Sequence, residues 1–315
     1  MAALPARREI TTEPRRSDKV FRAIVSIMAL SAFAILAMIG TFLALRGFQT
    51  FKTQGWHFLT GYEWEVVQDD AGNITAKFGI GAMLVGTILI AIVALVVGVP
   101  LSILTALFLT FYAPERIKKF LVAVVDLMAA FPSILYGLWG YFVLMPMAIY
   151  WAKLLNRYLG WLPVFSVQEP FFERSPFSAG LVLAIMIIPI VTSVAREIFS
   201  QTPLDRIQAA YALGATRWAM IKSVALPFGS SGIVGGAMLG LGRAFGETVA
   251  VFTVLNIVFK ANFHILFGMG GNIASMIVLK WGEASPIETK ALLASGFVLF
   301  LLTLGVNFAA DFIVK

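Results

Sequence analysis

Cysteine is absent from the 315 residues, and histidine occurs only twice. Disulfides and thiolate-held metals are therefore excluded, and two histidines fall short of the ligand set that a metal centre draws on. No Gly-Lys dipeptide occurs, which removes the Walker A loop and an ATP site of that kind. The HExxH pair and the G-x-S-x-G nucleophile elbow are missing too. Gly240-x-Gly242-x-x-x-Gly246 looks superficially like a nucleotide loop, but its spacing is wrong and it lies in an apolar run. No residue pattern points to bond-making chemistry, so the chain is expected not to be an enzyme and to carry neither cofactor nor metal. Charge is also scarce, at 13% of residues where a soluble domain has about a quarter.

What fills the chain is apolar: 59% of residues are hydrophobic and mean hydropathy is +0.88. Six runs reach the roughly 20 residues that a membrane-spanning helix needs: 21–45, 80–111, 120–150, 176–199, 229–258 and 291–313. The first is too long for a signal-peptide core and lacks a small-residue cleavage site, so it reads as a retained anchor. The expected class is an all-α integral membrane protein with a polar tail at 1–22 and a single membrane domain over 23–315. Of the 24 Lys and Arg, fourteen fall in the tail, the 112–119 and 196–228 loops and the C-terminus, nine in the alternate loops, and Arg243 inside a span. The positive-inside rule then places both termini in the cytoplasm.

Among the outer loops, residues 62–79 alternate apolar and polar around Asp70-Ala71-Gly72-Asn73, a hairpin pattern. "NRYLGWLPVF" and "NIASMIVLKWGEA" are expected to lie along the outer interface, with their aromatics as anchors. The 196–228 loop carries more information. Thr202-Pro203-Leu204-Asp205 reads as a helix start, with a hydroxyl cap, a proline in the first turn and a carboxylate three residues after the cap. Ala209, Ala210 and Ala212 leave little bulk on the helix that follows, and Gly214 supplies its left-handed end. A second piece is expected to begin at Thr216 and stop at Leu226-Pro227.

The fifth run holds "GIVGGAMLGLGRAFGETVAV". Gly232, Gly236, Gly240 and Ala244 recur every four residues, a stripe that lets helix backbones approach closely in lipid. Arg243 and Glu247, at i and i+4, border it. Counted from Gly229, Arg243 lies about 21 Å along the helix, inside a hydrocarbon layer about 30 Å thick. A charge at that depth needs protein or water around it and a partner. Two readings stay open: a fixed salt bridge with Glu247, or a guanidinium that grips an oxyanion through paired hydrogen bonds while Glu247 balances it when the path is empty. Asp126 and Asp311 are shallow enough to be structural, and Pro132 is expected to kink the third span.

The loop over Gln208-Ala209-Ala210, Gly214 and Leu226-Pro227 resembles the coupling loop of ABC-importer permeases, with Gln208 where a glutamate is commoner. Together with "LMAAFPSILYGLWG" and "GRAFGETVAV", it makes most of residues 79–255 similar to the PstC-type permeases of bacterial phosphate-specific ABC importers. The resemblance implies a type I importer permease domain in the bacterial plasma membrane, with Arg243 and Glu247 linked to phosphate translocation. It also implies docking of the 203–214 helix, including Asp205, against an ATPase. The implied partners are a homologous PstA-type permease, two PstB-type ATPase subunits that bind ATP and Mg²⁺, and an extracytoplasmic phosphate-binding protein. Another oxyanion (phosphonate, sulfate or molybdate) and an ion-coupled carrier remain as alternatives.

Overall fold

The computed structural model describes residues 15–68, 74–167, 169, 171–260 and 262–314. Six helical stretches among these are long and apolar enough to cross a membrane: Arg16–Gln54, Gly81–Tyr112, Ser133–Leu159, Pro176–Ser200, Arg217–Gly246 and Pro286–Ala310. The number agrees with the hydropathy pattern, but the third and fifth spans fall in different places from those predicted.

Helix α1 (Arg16–Gln54) begins within the stretch expected to be a polar tail, where Asp18 accepts a hydrogen bond from the Arg15 N–H at 3.3 Å. The short α2 (His57–Thr60) leads into strands β1 (Trp64–Gln68) and β2 (Ile74–Phe78), antiparallel with Trp64 opposite Phe78. The hairpin is thus present, while its Asp70–Asn73 turn lies outside the described residues. The second span is α3 (Gly81–Leu107), lengthened by a π-helical turn, Phe108–Tyr112.

Residues 115–130 do not belong to the third span. They form a separate amphipathic helix, α4 (Glu115–Ala130), with no buried residue. Phe131 and Pro132 are both extended (ψ 137° each), because a proline disfavours helical geometry in the residue before it. Pro132 is therefore a full break where a kink was expected. Asp126 consequently sits on α4, accepting from the Ser193 hydroxyl at 3.1 Å and lying 3.9 Å from the Arg196 guanidinium. The span itself runs through α5 (Ser133–Trp139), a π turn (Gly140–Leu144) and α6 (Met145–Leu159).

Helix α7 (Pro176–Ser200) is the centre of the bundle, packed against α3, against α4 and against the third span. Its N-terminus is capped by Ser175, which accepts from the Ser178 N–H at 3.3 Å. The surrounding core includes Ile90, Val182, Leu183, Ile187, Leu241 and Val251. Beyond α7 come α8 (Leu204–Ala212) and α9 (Arg217–Met220). Pro227 does not stop the segment after α9. A π turn (Ile221–Ala225) shifts the hydrogen-bond register just ahead of it, and the chain continues directly into α10 (Leu226–Gly246), with Pro227 in the first turn, where no N–H is needed.

The remainder is α11 (Val249–Val254), α12 (Ile273–Trp281) and α13 (Pro286–Val314). Helix α12 covers the stretch expected along the interface, yet its first four residues, Ile273–Met276, are buried. They join a second core with Phe58, Trp64, Phe78 and Met83. At the far end of α12, the Lys280 ammonium lies 5.8 Å from the Trp64 ring centroid and 5.4 Å from that of Phe259. Tyr158 and Trp161, in the other expected interfacial stretch, are exposed. The side chain of Asp311 lies outside what is described.

Candidate functional site

The small-residue stripe of α10 meets α7. A Cβ at Gly232 would come 2.8 Å from Ile198 Cγ1, at Gly236 3.3 Å from Val194 Cβ and at Gly240 3.0 Å from Val191 Cγ2, and Ala244 is itself buried. Only glycine lets the two backbones approach this closely. Gly235, Gly242 and Gly246 lie on another face, seven and four residues apart, and a Cβ at any of them would meet nothing within 4 Å. Leu239, 59% exposed, and the partly buried Arg243 border this open face.

Arg243 and Glu247 are not one turn apart on a continuous helix. Helix α10 ends at Gly246, Glu247 is extended (ψ 122°), and α11 starts at Val249. Among the described residues, ion pairs join Lys77 to Glu63, Lys118 to Glu115 and Arg196 to Asp126, and none joins Arg243 to Glu247. Of the two readings, the fixed salt bridge is therefore not present among the described residues. Glu247 is buried, and its carboxylate accepts the Ala250 N–H at 3.1 Å, so it caps the helix that follows the break. Arg243 is left in the last turn of α10, where a helix C-terminus favours a cation, and no described acceptor hydrogen-bonds to its guanidinium. The Tyr136 hydroxyl donates to the Met128 carbonyl at 2.6 Å.

Two polar residues outside the predicted site hold the ends of the α11 segment. Asn272, immediately before α12, donates to the Glu247 carbonyl at 2.8 Å. Arg174, before α7, donates to Asn256 and, at 3.2 Å, to the Tyr141 hydroxyl, with its guanidinium 5.1 Å from the Tyr141 ring centroid. Between these ties, α11 packs on α5 at Gly137, where a Cβ would lie 2.9 Å from the Ala250 Cα. Asn272 had a local signal, Asn-x-x-Ser before an apolar run, which reads as a helix cap. Its link to Glu247 has none. Arg174, with φ of 52°, is the only non-glycine residue in the left-handed region among those described, and nothing in its neighbourhood forecasts that.

A groove of about 590 Å³ opens beside α5, lined by Met128, Phe131, Leu135, Tyr136, Trp139 and Ile185 among others. Its lining is almost wholly apolar, it holds no charged side chain, and the Tyr136 hydroxyl already donates to Met128, so the groove suits an anion poorly. The open face of α10 is the better candidate for a polar path.

In the loop between the fourth and fifth spans, α8 carries Asp205, Gln208, Ala209 and Ala210 with none of its residues buried. Gly214 ends the turn with φ of 80°, as expected. The cap does not form as expected: Thr202 donates its hydroxyl back to the Phe199 carbonyl at 2.8 Å, and Pro203 precedes the first helical residue. Thr216 caps α9 by accepting the Ala219 N–H at 3.2 Å. Leu226 and Pro227 belong to the first turn of α10 and not to the end of this loop.

Six spans around a buried fourth, and an exposed helical loop before a glycine-rich fifth, describe a multi-pass transport subunit of the importer-permease class. The family model of binding-protein-dependent transport system inner membrane components matches residues 98–315. A phosphate transport system permease protein PstC 2 of Mycobacterium tuberculosis is 42% identical over 299 residues, covering 94% of this chain and 91% of the relative. A phosphate transport system permease protein PstC of Pasteurella multocida is 39% identical, covering 91% and 88%. Among solved structures, a bacterial ABC transporter involved in import of the acidic polysaccharide alginate superposes with a TM-score of 0.58 at 18% identity, over 95% of this chain and 96% of that one. The chain belongs to the family of binding-protein-dependent transport inner membrane components and, within it, to the PstC-type permeases. It is accordingly a multi-pass inner-membrane protein.

Proposed function

We propose that this chain is the permease subunit of an ATP-driven phosphate importer and that Arg243 meets the anion. The observation that carries the assignment to Arg243 is its state: a partly buried guanidinium with no carboxylate partner among the described residues, beside an open glycine face. A guanidinium offers a fork of donors that fits two oxygens of a tetrahedral oxyanion. The similarity to phosphate transport system permease proteins supports phosphate as that oxyanion. Glu247, held at the joint, keeps a negative charge close to the path and limits how tightly an anion is retained.

The remaining parts follow from the same reading. Both termini face the cytoplasm, which puts α8 on the side of the ATPases. The exposed α8, with Asp205, Gln208, Ala209, Ala210 and the Gly214 turn, docks into an ATPase subunit of the PstB type. ATP and Mg²⁺ bind there and not on this chain. The open face of α10, Gly235, Gly242 and Gly246, meets the path or the homologous PstA-type permease, and the outer segment receives an extracytoplasmic phosphate-binding protein.

The test is uptake into vesicles containing the assembled complex, with sulfate, molybdate and phosphonate as competitors. Phosphate uptake is expected to resist these competitors and to require ATP. Arg243→Lys, which keeps the charge but loses the fork, is expected to lower uptake at least tenfold, about 1.4 kcal/mol of lost transition-state stabilisation. Normal uptake by an inserted Arg243→Lys protein would overturn the direct contact.

A further inference from the structure

Asn272 is 1% exposed, and both ends of its amide are used. Its Oδ1 accepts the Ser275 N–H at 2.9 Å and also the Ser275 hydroxyl, which caps α12. Its Nδ2 donates to the Glu247 carbonyl at 2.8 Å, across 25 residues of chain. The next residue, Ile273, donates its N–H to the Thr87 hydroxyl at 3.0 Å, and that hydroxyl donates to Met83 at 2.7 Å within α3. Three elements therefore meet at the adjoining pair Asn272 and Ile273: α3 through Ile273, and the start of α12 and the joint between α10 and α11 through Asn272.

A helix cap needs only the side-chain oxygen, and Ser, Thr or Asp would supply it equally. The amide nitrogen is what a cap leaves unexplained. In an unbroken helix the Glu247 carbonyl would accept from the N–H four residues on. At the joint it accepts from Asn272. The opposite end of α12 is anchored where Lys280 sits over Trp64 and Phe259, so a nine-residue helix about 13 Å long links the hairpin segment to the joint.

We propose that Asn272 is a positioning residue for the translocation path: its amide nitrogen holds the α10–α11 joint open as a joint and so sets where Arg243 and Glu247 stand. It touches no substrate and acts through the Glu247 backbone. This rests on the reading of Arg243 as the anion contact, and it assigns the placement of that contact to a residue on a separate outer segment.

The experiment compares Asn272→Ala, which loses cap and tie, with Asn272→Thr, which keeps a capping oxygen but has no amide to reach Glu247. Both are placed in the full complex in vesicles. Because the chain contains no cysteine, Gly246→Cys adds a single thiol at the joint, at a position where a Cβ meets nothing within 4 Å. Two quantities are read: phosphate uptake and the rate at which a membrane-impermeant maleimide labels that thiol. Asn272→Thr is expected to lower uptake at least tenfold and change the labelling rate at least fivefold, while melting close to the parent. If Asn272→Thr transports and labels as the parent does, Asn272 is only a cap and the proposal is wrong. If Asn272→Ala fails to accumulate, the Thr variant decides alone. A parent complex that takes up no phosphate would sink the transport reading instead, and the labelling comparison would still judge the tie.

Discussion

Gly232 and Gly235 lie three residues apart on α10, and alanine at each should have opposite effects on stability. Both substitutions gain helix propensity of about 1 kcal/mol in an interior turn, so that contribution cancels in the comparison. The difference comes from the space around each. At Gly232 the added methyl would overlap the Ile198 Cδ1 methyl outright and stand 2.8 Å from Ile198 Cγ1 and 3.1 Å from Ile198 Cγ2, so Ile198 must leave its rotamer or α10 and α7 must part by more than an ångström. Overpacking of that kind costs about 1–3 kcal/mol. At Gly235 the methyl meets nothing within 4 Å. The isolated subunit should therefore melt higher as Gly235→Ala than as Gly232→Ala, by about 1–3 kcal/mol, or roughly 2–10 °C at the few degrees per kcal/mol typical of larger domains. Thermal unfolding in detergent at one scan rate measures the difference. Equal melting temperatures, or a lower one for Gly235→Ala, would refute the assignment of the packed and open faces. In the assembled complex the order of harm should invert, because the Gly235 face is the one left for the path or the partner permease.

Three further outcomes are expected. Glu247→Gln keeps an acceptor for the Ala250 N–H and should fold like the parent, whereas Glu247→Ala should lose about 0.5–2 kcal/mol of stability, read from the melting temperature. Gly214→Val places a β-branched side chain at φ 80°, a strain of about 1–2 kcal/mol that should shift the end of α8; co-purification of the ATPase with a tagged subunit should fall, and full retention would count against docking through α8. Asp126→Ala removes an ion pair at 3.9 Å whose carboxylate is about half exposed, so melting should move by less than about 1 kcal/mol; a larger loss would mean that α4 depends on that contact.

Much of the architecture is written in local patterns. Six apolar runs, the alternation around β1 and β2, and the glycine ladder each depend on neighbours a few residues away, and each was legible. The third and fifth spans were misplaced for the opposite reason. Residues 120–130 are apolar enough to pass for membrane, and only the extended pair at Phe131 and Pro132 detaches them. Likewise "GRAFGETVAV" reads as one helix, because the group that satisfies the broken turn, Asn272, arrives 25 residues later. An i,i+4 charge pair implies a salt bridge only if the helix continues between its members. Here it does not, so both charges are visible in the sequence and the break that separates them is not.

The tight packing of α1 has a consequence in time. Its two buried glycines meet α13, Gly40 with a Cβ 2.9 Å from the Phe300 ring and Gly47 with one 2.7 Å from the Ala294 Cα. Helix α1 thus has its close partner in α13, far later in the sequence. At roughly 5–20 residues per second, the stretch from Gly47 to Ala294 takes on the order of 12–50 s to synthesise. Through that interval α1 must persist in lipid alone, which its apolar and almost wholly exposed surface allows. The contact closes only once α13 has been made, so a chain truncated before α13 leaves α1 inserted with its packing glycines unmet.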